Sequence, residues 1–177
     1  LKLSTASDWI AIANGSIYKA LIGKLLPIFS IMTLHAIIMF ILLFEFIGVP
    51  LRGSLWVLLI GCEVFILNYI AVAIFIISIT ADMRLAMSLG GGYSVMAFSL
   101  SGLTFPTMAM HEGMQWFGHI FPFTYFTEII IDQALRGAPI ANSLLQISYM
   151  MVFLLLPLAT LPRLNKITNN NHYWGRA

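Results

Sequence analysis

Four stretches of this chain, residues 25–47, 55–79, 85–103 and 143–161, are apolar over about the thickness of a bilayer. A helix rises about 1.5 Å per residue and the hydrocarbon core is roughly 30 Å thick, so about 20 mostly apolar residues cross it. The spacing predicts an all-α integral membrane protein with four transmembrane helices. Composition agrees, with 60% of residues apolar and 9% charged, against about 25% charged in a soluble domain. The four runs and their connections use nearly all of the 177 residues, which leaves no room for a soluble catalytic domain.

The chain opens at Leu1 in a mixed polar and apolar stretch, which reads as part of a longer protein. The first long apolar run begins only after Lys24, so no N-terminal signal peptide is visible. The single Cys62 lies within an apolar run and offers neither a disulfide framework nor a cysteine-based metal site. A net charge of +2 with no basic stripe argues against a nucleic-acid partner and leaves the lipid bilayer as the surroundings.

Orientation follows from the nine Lys and Arg residues. With four spans and both ends inside, Lys2, Lys19, Lys24, Arg84, Arg163, Lys166 and Arg176 are cytoplasmic and only Arg52 and Arg136 lie outside. Seven against two obeys the positive-inside bias. A fifth span through residues 105–137 would break it. That segment is also interrupted by Pro106, Gly113, Gly118 and Pro122 and carries His111, Glu112 and His119. Its apolar pieces, about 10 residues each, suit re-entrant or interfacial segments. Two short helices, 107–117 and 123–137, are expected to dip into the outer half of the membrane as a hairpin. Trp116, Phe117, Phe121, Phe123, Tyr125 and Phe126 suit an interfacial aromatic belt.

Residues 1–24 interleave Trp9, Ile10, Ile12, Ile17, Tyr18, Leu21 and Ile22 with Ser, Asp, Asn and Lys. This is an amphipathic segment for the cytoplasmic face, broken at Asn14-Gly15, with Trp9, Lys19 and Lys24 as a candidate coupling surface. Residues 162–177 read as a loosely ordered polar tail, leaving 25–161 as the transmembrane domain.

Few constellations carry chemistry. No G-x-x-x-x-G-K-S/T occurs, and Gly90-Gly91-Gly92 is followed by Tyr93, Ser94 and Val95, without a Lys for a phosphate. His111-Glu112 lacks the second His of a metalloprotease helix, because Gln115 stands there, so these residues read as interfacial polar groups and no metal site is assigned. Glu128, Asp132 and Arg136 recur every four residues and read as a structural ion-pair network, with a proton relay as the other possibility. Glu63 lies well inside the second span with Asn68 beyond it. A lone carboxylate there must be neutral, paired or in a wet cavity. His35 is a possible partner, and functional and structural readings of Glu63 both stand. Gly90, Gly91 and Gly92 permit close approach of a neighbouring helix or the hairpin, or form a hinge. With Ser101 and Pro106 at the end of the third run, Glu63, Asn68 and these glycines are the candidate substrate path or gate.

Four stretches have a familiar order: GKLLPIF at 23–29, GVPLRGS at 48–54, SGLTFPTMAM at 101–110 and FPFTYFTEIIIDQALRGAP at 121–139. Together they resemble the C-terminal membrane half of bacterial type-2 ATP-binding-cassette exporter permeases. The resemblance implies spans three to six of a six-span permease, with 101–137 as its paired outer helices. It also implies a second permease half, homo- or heterodimeric, a separate ATPase subunit that supplies ATP, and the inner membrane of a bacterium. The permease would have no enzymatic activity of its own. The acidic Gly-Thr-containing element of the family's cytoplasmic loop has no counterpart here. The rival reading is a secondary transporter in which Glu63, Asn68, Glu128 and Asp132 bind a proton or sodium ion. A membrane-embedded enzyme has little support, since no paired acidic or His-rich motif sits at a cytoplasmic helix end.

Overall fold

The computed structural model describes residues 12–168, and every regular element among them is helical. Helix α1 (Ile17–Ile41) runs directly into a π turn, Leu42–Phe46, to give a rod of 30 residues, about 45 Å long. No break in this helix marks the expected division between a surface segment ending at 24 and a span starting at 25. The chain breaks at Asn14 and Gly15, whose φ angles are 55° and 74°, and nothing after them stops the helix. Pro27 forgoes one helical hydrogen bond without ending it. Trp9 lies outside the described residues.

Helix α2 (Leu55–Thr80) is the hub, packed against every other long helix. A two-residue link, Ala81 and Asp82, turns the chain into α3 (Met83–Leu100). Asp82 caps α3, its Oδ1 accepting from the backbone N–H of Arg84 at 2.8 Å and of Leu85 at 3.2 Å, two donors that a helix start leaves without intrahelical partners.

The expected helix 107–117 is split. A 3₁₀ turn at Thr107–Ala109 is followed by a break at Met110 and His111, and α4 occupies only Glu112–Gly118. The imidazole of His111 accepts from the Gly113 N–H at 3.2 Å, so this histidine caps a helix. Helix α5 (Pro122–Ile130) begins on its proline, the first-turn position where a missing N–H costs nothing. It continues as a π segment, Ile131–Arg136, that ends on Gly137 at φ 65°.

The last apolar run is also not one helix. Helix α6 (Ile140–Phe153) stops at Leu154 and Leu155, and α7 (Leu156–Thr168) resumes. Pro157 lacks an N–H and its ring crowds the Phe153 carbonyl. Pro162, expected to end the span, instead lies inside α7. The contacts of Leu161 and Leu164 with Ile17 hold that turn in register.

Three of the described helical stretches, Ile17–Phe46, Leu55–Thr80 and Ile140–Thr168, are long and apolar enough to cross a membrane. Helix α3 is shorter, at 18 residues, and its apolar character is diluted by Arg84, three glycines and three serines. The main core lies between α2, α5 and α6 and is built on Val57, Cys62, Phe126, Ile129, Ile147 and Met150. Gly61 lets α2 and α5 meet closely, since a Cβ there would lie 3.2 Å from Ile129 Cγ2. Phe65 stacks on Phe126 with ring centroids 4.3 Å apart.

Candidate functional site

Glu63 is half-buried on the face of α2 that meets α1, and the Thr33 hydroxyl donates to its Oε2 at 2.8 Å. Thr33, not His35, is its hydrogen-bond partner, and His35 is exposed on α1. Asn68 is fully buried, and among the described residues neither its amide nitrogen nor its oxygen has a hydrogen-bond partner. A groove of about 820 Å³ runs between α1, α2 and α3, with Met32, Phe65, Tyr69, Phe98 and Phe123 on its walls and Lys24 at one end. Periodicity does not reveal such a groove, because it exists only where three helices fail to close on each other.

The glycine run does not do what its spacing predicts. A Cβ on Gly90, Gly91 or Gly92 would meet nothing within 4 Å among the described residues, so the hairpin does not pack on them. The hairpin reaches α3 nearer its far end. Tyr93 meets Phe121 at 4.9 Å, Phe98 meets Phe123 at 6.0 Å, and a Cβ on Gly118 would lie 3.2 Å from the Leu100 carbonyl. Ser101 is buried and closes the turn leaving α3, donating to the Phe98 carbonyl at 2.8 Å. Pro106 is exposed and precedes the 3₁₀ turn. Of the aromatic belt, Trp116 and Phe117 are exposed, whereas Phe121 and Phe126 are buried inside the bundle. Phe126 on α5 turns onto Phe65 of α2, and Phe121, the residue just before α5, turns onto Tyr93 of α3.

The most tightly built part of the molecule was not expected. Gln133 is fully buried where the end of α5 meets the loop between α1 and α2 and the start of α6. Its Oε1 accepts from the Ser54 N–H at 2.9 Å, and its Nε2 donates to Ser143 Oγ at 2.8 Å and the Ala138 carbonyl at 3.3 Å. The backbone joins in, Gly53 N–H donating to the Gln133 carbonyl at 2.7 Å and Arg52 N–H to the Ala134 carbonyl at 3.3 Å. Gly53 has no room for a side chain, since a Cβ would lie 2.5 Å from Gln133 Oε1 and 2.8 Å from its carbonyl oxygen. Gly137 is equally closed in, a Cβ there falling 3.0 Å from the Arg52 carbonyl. This clasp brings Arg52 and Arg136 to one end of the bundle.

Beside the clasp, Arg136 Nη1 lies 3.4 Å from Asp132 Oδ1, with Arg136 70% and Asp132 14% exposed. Such a pair contributes little where one partner is so solvated. Glu128, one turn earlier and outside the three membrane-crossing stretches, has its carboxyl raised above the ordinary value of 4.5. Burial is the main cause, and Asp132 adds to it. His119, Gln146 and Arg136 pull the other way. A carboxyl raised in the folded state stabilises fully below its unfolded value, and that contribution is lost as pH rises through the folded value. Thermal stability should therefore fall as pH rises above about 4.5. In Glu128→Gln this part of the decline should be absent, as melting temperatures from pH 4 to 8 would show.

The opposite end collects the other cations. Arg163 Nη2 donates to the Ile79 carbonyl at 2.9 Å, near the C-terminus of α2, where a cation is favoured. Ile17, Leu161 and Leu164, with Leu21 and Ile74, form an apolar knot that holds the start of α1 to the end of α7. Lys19, Lys24, Arg84 and Lys166 are exposed on the helix turns around this end.

The helices and the sorting of charge to two ends define a multi-pass helical membrane protein. A family model described as ABC-2 family transporter protein matches residues 2–161, and the chain belongs to that family of transport permeases. No curated protein and no solved structure matches it.

Proposed function

We propose that the chain is the permease part of an ATP-driven exporter, working with a second permease half and a separate ATPase subunit. The observation that carries this reading is the family match across almost the whole chain. In this reading α1, α2, α3 and the joined α6 and α7 are the four spans, in the inner membrane of a bacterium. The end bearing Lys19, Arg84, Arg163 and Lys166 faces the cytoplasm, in keeping with the positive-inside bias. The hairpin of α4 and α5 sits in the outer half of the membrane. The groove between α1, α2 and α3 is the part of the substrate path that this chain supplies. Lys19 and Lys24 belong to the surface through which ATP turnover in the partner moves the helices.

Two experiments test this. Single cysteines in a Cys62-free background should be labelled by an impermeant reagent from outside at Pro50 and Gly113, and not at Met83 and Lys166. Outside labelling at Lys166 would overturn the topology. The purified permease should hydrolyse no ATP, and with its ATPase it should co-purify and change the ATPase rate. Transport that needs no ATPase but follows a proton or sodium gradient would replace this reading with the rival one.

A further inference from the structure

Between α1 and α2 lies a second, smaller pocket of about 350 Å³, within the size range of small-molecule sites. Its walls are apolar, with Phe40, Phe44, Leu55 and Leu59 among them, and its two charged residues are both acidic, Glu45 and Glu63. Among the described residues, no Lys, Arg or His lines it. Glu45 sits in the π turn that ends the α1 rod, at the end shared with the clasp. Glu63 lies eight residues beyond Leu55, the first residue of α2, about 12 Å deeper along the helix. One carboxylate thus lies at the clasp end of the pocket and the other about two turns deeper along α2. Phe40 and Phe44 stack beside them with ring centroids 6.0 Å apart and an interplanar angle of 24°.

A carboxylate at membrane depth needs a proton, a partner or water. Thr33 gives Glu63 one neutral hydrogen bond to Oε2. Aromatic rings beside carboxylates in an apolar pocket favour a cation with a greasy body, which finds attraction at the carboxylate and ring faces and loses little by leaving water. An anion of the same shape meets only repulsion from Glu45 and Glu63.

We propose that this pocket binds lipophilic monocations, with Glu63 as the counter-ion and Glu45 as a second acidic residue at the clasp end. The site is defined by binding alone and does not rest on the transport reading. Tetraphenylphosphonium and tetraphenylborate, which share a shape and differ in sign, are the probes. The purified full-length protein in uncharged nanodiscs should bind radiolabelled tetraphenylphosphonium saturably, without nucleotide or ATPase. Tetraphenylborate should not compete. Glu63→Gln, which keeps a hydrogen-bond acceptor for Thr33, should weaken binding about tenfold or more, the scale of losing one partly desolvated charge pair. Leu59→Trp, which fills the pocket and keeps both carboxylates, should also abolish saturable binding, and it carries the test if Glu63→Gln does not fold. Equal affinity for both ions, or unchanged phosphonium binding in a well-folded Glu63→Gln or Leu59→Trp, would overturn the proposal.

Discussion

Gln133→Leu is expected to cost the folded chain about 3 kcal/mol, because the substitution takes a hydrogen-bond partner from one buried and two part-buried polar groups. Those groups are the Ser54 N–H, the Ser143 hydroxyl and the Ala138 carbonyl. Leucine has about the right volume, so the loss reports hydrogen bonding and not a cavity. Reversible unfolding in mixed micelles would measure it, with Leu135→Ala, an exposed neighbour, as the control. A loss below about 1 kcal/mol, the worth of a single ordinary hydrogen bond, would show that the clasp does not hold the bundle.

Gly53→Ala attacks the same clasp through space. The added methyl would sit 2.5 Å and 2.8 Å from two oxygens of Gln133, one of them backbone, and the loop must move. Overpacking of this kind costs about 1–3 kcal/mol, and the loosened Gly53–Gln133 and Ser54–Gln133 hydrogen bonds bring the expected total to about 3 kcal/mol. Gly91→Ala is the contrasting control. A Cβ there meets nothing within 4 Å, and alanine is the better helix former by about 1 kcal/mol in soluble helices, so no loss is expected. Because Gly53 and Gln133 touch, combining Gly53→Ala with Gln133→Leu should cost clearly less than the two singles summed. Additive losses would mean that the two residues act independently.

Three helices long and apolar enough to cross a membrane were legible because the run lengths match the bilayer, a constraint that acts on each helix by itself. Internal breaks were less legible. Pro27 and Pro162 lie inside helices, whereas Pro157 interrupts one. Whether a proline ends a helix depended on the neighbours that hold the turn, such as Ile17 against Leu161 and Leu164. The glycine run misled for a related reason. Small residues permit a close contact without supplying the surface that makes it. Gln133 was passed over because a glutamine on an amphipathic helix is unremarkable until Gly53 and Ser54 are folded onto it from far along the chain. A trace was there nonetheless. The stretches at 48–54 and 121–139, quoted above for their family likeness, contain Gly53, Ser54, Gln133 and Gly137, most of the clasp.

The gap at Leu154 and Leu155 gives the 29-residue stretch Ile140–Thr168 a mechanical character that a straight helix would lack. Helix α6 is tethered through Ser143 to the Gln133 clasp, and α7 through Arg163 to the tail of α2. The stretch is therefore two levers with a pivot between them, each bolted to a different part of the frame. A bend at this gap would let α7 shift at the Arg163 end while Ser143 stays held in the clasp, so the break divides the load between two tethers.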